Sequence, residues 1–177
     1  MSIASSPSAN IHDNNITGPS SEGLYFSSSD NIIVVGNTIA NSGSSGIYFI
    51  SSDDVTISEN TISDNGTHGM EIHSSLRMTM YQNVMENNGA WGMSFNELND
   101  DVSIIDNVIR YNDNGGIYLF RRNDDMLIQG NEISSNGSHG IYVANNSSSS
   151  TYYNNQIDIK ENIISNNSGD GIIFSYS

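Results

Sequence analysis

Apolar and polar residues alternate in short segments that recur at a nearly constant spacing along the chain. Each copy begins with an asparagine, and nine residues later a glycine opens an apolar run. The copies of this asparagine are Asn14, Asn37, Asn60, Asn83, Asn107, Asn131 and Asn162. Successive copies are 23, 23, 23, 24, 24 and 31 residues apart. A nearly fixed period of this size predicts one structural unit that is repeated and stacked.

Each copy predicts three short β-strands. After the glycine, apolar residues stand at the first and third positions, as in Ile47 and Phe49, with an outward residue between them. This alternation is typical of a strand with one buried face. A second strand, with Val55 and Ile57 directed inward, precedes the asparagine, and a third strand with Ile62 follows it. No sustained 3.6-residue period is present, so the pattern predicts no long helix.

A unit of this length cannot bury its apolar side alone, but parallel stacking lets every copy cover the next one. We therefore predict an all-β fold, a right-handed parallel β-helix of about seven turns with three short strands per turn and a 23–24 residue pitch. The constant asparagine is expected to form a ladder of amide hydrogen bonds between turns. A second asparagine column follows five residues later: Asn65, Asn88, Asn112, Asn136 and Asn167.

The pattern Asn-x-Ile-x-x-Asn-x-x-x-Gly-Ile-x-Phe resembles the parallel β-helix repeats of the pectate-lyase-like superfamily. It is most similar to the NosD-like repeat arrays of microbial, especially archaeal, surface proteins. The resemblance covers roughly residues 11–177. It implies the β-helix fold but leaves the function open, because this architecture carries lyases, hydrolases, adhesins and plain scaffolds.

The whole chain, residues 1–177, is predicted to form a single β-helix domain. Residues 1–13 are expected to be an irregular start, and residues 145–155 a polar loop insertion in the sixth turn. Such an insertion can shape a binding face, and a solvated loop is the simpler interpretation. Asn145 and Asn146 begin Asn-x-Ser sequons in this loop and are the candidate glycosylation sites.

The charge and the amino-acid composition of the chain limit the kinds of partner that it can bind and the places where it can be located. The net charge of −15 argues against nucleic acids and anionic membranes, which are bound through Lys and Arg. No apolar run is long enough to span a membrane, and the first residues do not resemble a signal peptide. We therefore expect that the chain does not insert into a membrane and that it lies outside the cell or in the cell envelope. If the protein is exported, we expect this chain to be its mature form or a segment of it. The chain has no cysteine, which excludes disulfides.

One outward column carries aromatic side chains. Its tyrosines are Tyr25, Tyr48, Tyr118 and Tyr142, and the column is interrupted by Glu71 and Ser94. Stacked aromatic faces suit sugar rings or a partner protein, so these tyrosines are the candidate ligand-binding residues. The alternative interpretation is that they are outward strand residues with good cross-strand packing.

Ionisable side chains collect where the tyrosine column is interrupted. Glu71 and His73 point outward on one turn, and Glu97 and Arg121 follow one and two turns further on. A lyase needs a base that takes the α-proton and a cation that stabilises the carboxylate. A glycosidase needs two carboxylates roughly 5–10 Å apart. These four residues are the candidate catalytic residues, with solvated surface charge as the alternative.

Aspartates form a further column in the turn before the second strand: Asp53, Asp54, Asp100, Asp101, Asp124 and Asp125. Stacked like charges repel unless water, the neighbouring Arg77 or a bound cation relieves them. Calcium prefers several carboxylate and carbonyl oxygens, so this edge is a candidate calcium site. Aspartate as a turn-forming residue explains the same column without a metal. No other cofactor is indicated.

Two functions from different classes follow. The main interpretation is a non-catalytic structural or adhesion solenoid that assembles end to end into filaments or oligomers. Its open ends would expose apolar side chains and strand edges, so its partners would be other copies of the chain. The alternative is a carbohydrate-binding protein or a polysaccharide lyase or hydrolase that uses the tyrosine column and the neighbouring Glu, His and Arg side chains.

Overall fold

The computed structural model describes residues 1–145 and 153–176. Within this part, the chain consists of short β-strands and turns and contains no helix. The strands form three parallel sheets, in which each strand pairs with its counterparts one turn before and one turn after it. The predicted all-β solenoid with three strands per turn is confirmed.

We name the three sheets A, B and C in the order in which the chain enters them. Sheet A contains Ser2–Ala4, Leu24–Ser27, Ile47–Ile50, Met70–His73, Met93–Asn96, Ile117–Phe120, Ile141–Asn145 and Ile172–Tyr176. Sheet B contains Ala9–His12, Ile32–Val35, Val55–Ser58, Leu76–Tyr81, Asn99–Ile105, Asn123–Gln129 and Asn155–Lys160. Sheet C contains Asn15–Thr17, Thr38–Ala40, Thr61–Ser63, Val84–Glu86, Val108–Arg110, Glu132–Ser134 and Ile163–Ser165.

The core lies between the three sheets, where the inward side chains stack in columns. Strand pairing places Ile47 beside Met70 and Phe49 beside Ile72, and all four side chains are completely buried. The rings of Phe26 and Phe49 stack with their centroids 4.4 Å apart. Burial of each such side chain stabilises the fold by about 1.5–3 kcal/mol before conformational entropy is subtracted.

Both predicted asparagine ladders are present at the corners of the solenoid. At the corner between sheets B and C, the backbone N–H and Nδ2 of Asn60 donate to Oδ1 of Asn83 at 3.0 and 2.9 Å. At the corner between sheets C and A, Nδ2 of Asn88 donates to Oδ1 of Asn112 at 2.9 Å. The amides therefore satisfy one another and the backbone where the chain turns and no strand ladder is available.

A third ladder, which the sequence analysis missed, lies at the corner between sheets A and B. It is formed by Ser29, Ser52, Ser75, Asn99, Asn123 and Asn154. The backbone N–H of Ser52 donates to Oγ of Ser75 at 3.1 Å, and that of Ser75 donates to Oδ1 of Asn99 at 3.0 Å. The change from serine to asparagine coincides with the first of the longer turns.

The same corner shows where the longer turns gain their extra residue. After the strand Met70–His73, a single residue with a left-handed backbone conformation, Ser74 with φ 48°, precedes the ladder. In the next turn, Glu97 and Leu98 both have a left-handed backbone conformation, with φ 49° and 62°. One turn later, Arg121 and Arg122 have the same conformation. The backbone N–H of Glu97 donates to the carbonyl of Phe120 at 2.9 Å. The two longer corners therefore lie directly above one another at the edge of sheet A.

The expectation of an irregular start over residues 1–13 is wrong. Ser2–Ala4 and Ala9–His12 form the first strands of sheets A and B. They do so because Ile3 pairs with Phe26 and Ile11 pairs with Val34, which continues the inward columns. This segment has apolar residues in register but lacks the asparagine–glycine signature, so the repeat pattern did not detect it.

The expectation for Asn145 is also wrong. This residue ends a sheet A strand instead of lying in the predicted 145–155 loop, and its side chain is only 3% exposed. Its Oδ1 accepts hydrogen bonds from the backbone N–H and the Nδ2 of Asn154, both at 2.7 Å. A glycosylation site must be accessible to the modifying enzyme, so Asn145 is unsuited to that role. Asn146 lies outside the described residues.

Candidate functional site

The outer face of sheet A brings the predicted tyrosines into one line. The pairing register places Tyr25 beside Tyr48, and Tyr118 beside Tyr142. Glu71 follows Tyr48 in this line, and Ser94 lies between Glu71 and Tyr118. The interruption predicted from the sequence is therefore a real gap in an aromatic line.

Glu71 and His73 face outward on the strand Met70–His73, because strand alternation directs Met70 and Ile72 into the core. His73 Nε2 lies 3.0 Å from Glu71 Oε1. In the preceding turn, Ser45 Oγ donates a hydrogen bond to Glu71 Oε2 at 2.8 Å. The three side chains form one hydrogen-bonded chain that links the strand Met70–His73 to the turn before the strand Ile47–Ile50.

Electrostatics keep Glu71 ionised. Burial raises the pKa of its carboxyl group, but hydrogen bonds from His73 and Ser45 and the nearby His68 together lower this pKa below its ordinary value. Glu71 is therefore a carboxylate at neutral pH. A carboxylate bonded to an imidazole orients the ring and stabilises it when the ring takes up a proton.

An open cleft of about 540 Å³ lies over this pair. Its walls include Glu97, Asn96 and Phe120 in addition to Glu71 and His73. Arg121 lies at the rim, where its Nη1 is 3.4 Å from Glu97 Oε1 and its guanidinium carbon is 4.5 Å from the centroid of the Phe120 ring. The structure thus brings Glu71, His73 and Glu97 into one cleft and places Arg121 at its edge.

Aromatic rings border the cleft on the side of the earlier turns. The rings of Tyr25 and Tyr48 stack with their centroids 5.4 Å apart and their planes 9° from parallel. The ring of Tyr48 lies 5.2 Å from the imidazole of His73. The imidazole of His73 therefore lies next to the end of the tyrosine line.

A second group of rings borders the cleft on the side of the later turns. We name Trp91, Tyr118 and Tyr142 the aromatic platform. The indole of Trp91 stacks on Tyr118 with a centroid distance of 5.1 Å, and Tyr142 lies 5.5 Å from Tyr118. The indole reaches this position across Gly115, where any Cβ would overlap it.

Several residues of this site were missed from the sequence. His68 and Trp91 stand directly before the repeat glycine in successive copies, and Gly115 takes the same place in the copy after Trp91. Asn96 and Phe120 occupy the column of His73. Comparison of these two columns with the tyrosine line would have indicated that His68, Asn96 and Phe120 lie near Glu71. It would not have shown that Trp91 folds over Gly115.

The acidic edge is partly neutralised by Arg77. Its Nε lies 2.7 Å from Asp54 Oδ1, and its Nη2 lies 3.2 Å from Asp53 Oδ2. Further along, Asp100 Oδ1 accepts the backbone N–H of Asp101 at 2.9 Å, where Asp101 has a φ of 55° within the strand Asn99–Ile105. Among the residues described, no three His, Cys, Asp or Glu side chains lie close enough together to hold a metal ion. These contacts leave the hypothesis of a calcium site at this edge to be tested.

Chelation of calcium tests this edge directly. Because Arg77 already pairs with Asp53 and Asp54, we expect Tm in millimolar calcium and in EDTA to differ by less than about 1 °C. Thermal unfolding followed by circular dichroism measures the difference. A rise of several degrees with calcium that is absent from an Asp100→Asn, Asp124→Asn variant would instead support a calcium site.

Over the described ranges, no helix has the length and apolar character that a transmembrane span requires.

Comparison with known proteins gives a family and several structures of similar fold. A family model described as a right-handed β-helix region matches residues 1–157 and 96–177, and its handedness agrees with the prediction. No curated protein sequence matches the chain. A double mutant of the periplasmic alginate epimerase AlgG matches with a TM-score of 0.86 and 24% identity, over 97% of this chain and 39% of that one.

Two further structures have lower scores. The A-module of the mannuronan C-5 epimerase AlgE4 of Azotobacter vinelandii has a TM-score of 0.65 and 18% identity, over 100% of this chain and 57% of that one. Pectate lyase Pel9A has a TM-score of 0.61 and 18% identity, over 82% of this chain and 38% of that one. The chain thus spans less than two thirds of each of these proteins, and at such identities the likeness concerns the fold alone.

Proposed function

This chain belongs to the right-handed β-helix family, and from that premise we propose that it binds an acidic polysaccharide on sheet A and removes a proton from it in the Glu71–His73 cleft. The observation that carries the proposal is the hydrogen-bonded chain of Ser45, Glu71 and His73 in a cleft bordered by aromatic rings. Structures of similar fold are named for alginate, mannuronan and pectate. All three are polymers of uronic acids, which supports this alternative over the non-catalytic solenoid.

The chemistry follows from the acidity of a uronate ring. The C–H bond next to its carboxylate is weakly acidic, because the electron pair left by the proton can spread into the carboxylate. In our proposal His73, held by Glu71, takes this proton, and Arg121 at the rim stabilises the negative charge that collects on the carboxylate oxygens. The aromatic rings on both sides hold the neighbouring sugars by stacking.

Two outcomes are possible after the proton has left. If a proton returns to the same carbon from the opposite side, the sugar is epimerised. If the glycosidic C–O bond on the next carbon breaks instead, a C=C double bond forms, the leaving oxygen takes up a proton from water, and the polymer is cleaved, as in a lyase. Both reactions share their first step, so the Glu71–His73 pair serves either one.

Incubation with alginate and with pectate tests the proposal. A lyase releases unsaturated sugars, which are followed by ultraviolet absorbance. An epimerase changes the ratio of the two uronates and incorporates solvent deuterium, both of which are measured by NMR. We expect one of these signals, and the absence of both together with the absence of oligosaccharide binding would overturn the proposal.

Loss of one platform ring tests the binding surface separately from the chemistry. Tyr118→Ala is expected to weaken the binding of alginate or pectate oligosaccharides about fivefold, because a stacked ring contributes about 1 kcal/mol. Isothermal titration calorimetry measures the affinity. Tyr111→Ala is the matched control, because Tyr111 is exposed outside this surface. Equal loss in both variants would show that the platform does not bind the sugar.

The solenoid interpretation remains the second candidate, because apolar side chains are exposed in the last described turn. Ile163, Ile172 and Phe174 are 67%, 44% and 48% exposed, and contact with another copy would cover them. Light scattering over a wide concentration range tests this contact, and a strict monomer would contradict it. An extracellular or cell-envelope location remains part of both proposals, since polysaccharides and adhesion partners are found there.

A further inference from the structure

His68 lines the same cleft as the Glu71–His73 pair, but the chemistry described above does not use it. It lies in the turn before the strand Met70–His73, and its side chain is half-buried. Its Nδ1 lies 3.3 Å from the backbone nitrogen of Trp91, whose N–H it accepts. The imidazole therefore connects the cleft to the aromatic platform.

This hydrogen bond fixes the position of the ring proton. A nitrogen that accepts a hydrogen bond must present its lone pair, so neutral His68 carries its proton on Nε2. The same arrangement recurs in the same column, where His139 Nδ1 accepts the backbone N–H of Asp170 at 3.0 Å. Both histidines at this position of the repeat thus accept the backbone N–H of the equivalent residue one turn later.

The surroundings keep His68 neutral. Burial lowers the pKa of its imidazole, the carboxylate of Glu71 raises it and His73 lowers it, and the resulting pKa lies below the ordinary value. Glu97 is the other charged residue that lines the same cleft. At neutral pH the ring is therefore an uncharged group with one N–H donor left for a ligand.

We infer that His68 is a neutral hydrogen-bond donor whose Nε2–H binds an oxygen of the sugar in the cleft, while its Nδ1 holds Trp91 in the aromatic platform. The inference rests on the proposed function, since it assigns one more contact to the same bound sugar. The two nitrogens act together. Acid that protonates Nδ1 removes the acceptor for the Trp91 N–H and thereby loosens the platform beside the cleft.

Two variants of His68 separate the roles of its two nitrogens. In His68→Asn the side-chain oxygen can replace Nδ1 as acceptor, but no group remains at the place of Nε2. In His68→Gln the amide nitrogen can replace Nε2 as donor. We expect His68→Asn to weaken oligosaccharide binding about tenfold, as the loss of one hydrogen bond does, and His68→Gln to retain more of the affinity.

Trp91 supplies a readout that requires no substrate, because it is the only tryptophan in the chain. In the wild-type protein its fluorescence is expected to change on acidification, with a midpoint below the ordinary histidine value of about 6.5. His68→Asn is expected to abolish this change. His12→Asn is the matched control, since His12 is an exposed histidine on sheet B that pairs with Asp13, and it should leave the titration intact.

The possible outcomes separate this inference from the proposed function. If wild-type protein and His68→Asn bind the oligosaccharides equally well, the donor role is overturned and the proposed function stands. If the Trp91 titration persists in His68→Asn, the link through Nδ1 is overturned. If the wild-type protein binds neither alginate nor pectate oligosaccharides, the proposed function and the donor role fall together, and the titration alone decides the link to Trp91.

Discussion

Replacement of Glu71 by glutamine is expected to lower the turnover of an acidic polysaccharide by about 10²–10⁴-fold. Glutamine has the size of glutamate and can still bond to Ser45. It lacks the negative charge that stabilises His73 after the ring has taken a proton. The loss should appear in kcat, because the charge matters most in the transition state. Initial rates on alginate or pectate measure the effect, and oligosaccharide affinity should stay near that of the wild-type protein.

The matched control for this substitution is Glu86→Gln. Glu86 pairs with Arg110 at 2.9 Å on sheet C, away from the cleft, so its loss should leave turnover unchanged. Because the pKa of Glu71 lies below its ordinary value, activity should not fall through protonation of this carboxyl until the pH is below about 4.3. Wild-type rates in Glu71→Gln would contradict the role of the pair and favour the non-catalytic solenoid.

Replacement of Asn83 by leucine is expected to lower the free energy of unfolding by about 3–5 kcal/mol. The side chain of Asn83 is completely buried. Its Oδ1 accepts two hydrogen bonds from Asn60, and its Nδ2 donates to the carbonyl of Ile57 at 2.8 Å and to Oδ1 of Asn107 at 3.0 Å. Leucine fills a similar volume but leaves these buried polar groups without partners, and each such group costs about 1–3 kcal/mol.

Urea unfolding followed by circular dichroism measures this loss. Asn14→Leu is the control, since Asn14 occupies the same ladder at its exposed first position and bonds to Asn37. Water can replace the lost amide there, so we expect a cost of about 1 kcal/mol or less. If both substitutions cost the same, the ladder would not stabilise the solenoid through its buried amides.

Much of the site's layout follows from the repeat. Equivalent positions of successive copies stack directly when parallel strands pair in register, so that a column of residues in the sequence is also a column in space. The neighbourhood of Tyr48 and Glu71, the two asparagine ladders and the buried apolar columns were predicted on this basis and are confirmed. The predicted right-handed parallel β-helix is confirmed by the family match, and the solved structures of similar fold agree with it.

The predictions for residues 1–13 and for Asn145 were wrong because the strands there do not coincide with the asparagine–glycine signature of the repeat. The first strands lie within residues 1–13 because Ile3 and Ile11 complete the apolar columns without the asparagine–glycine signature. Asn145 was assigned to a loop because the polar run begins there. Its amide instead joins the buried ladder at that corner. Polarity alone did not distinguish a solvated amide from one that is satisfied by its neighbours.

By itself, the sequence determined, in the repeats that carry the asparagine–glycine signature, the height of the strand residues along the solenoid, the sheet to which they belong and whether they face inward or outward. Only the tertiary structure decided the side-chain contacts, both between columns, as for Ser45 with Glu71, and within one column, as for His68 with the backbone of Trp91 and Trp91 across Gly115. The reason is that periodicity fixes backbone positions, whereas side-chain torsions and the bends of the corners depend on neighbours in other columns. The cleft lies where these unequal side chains meet, beside the corner at which Glu97 and Leu98 lengthen the turn.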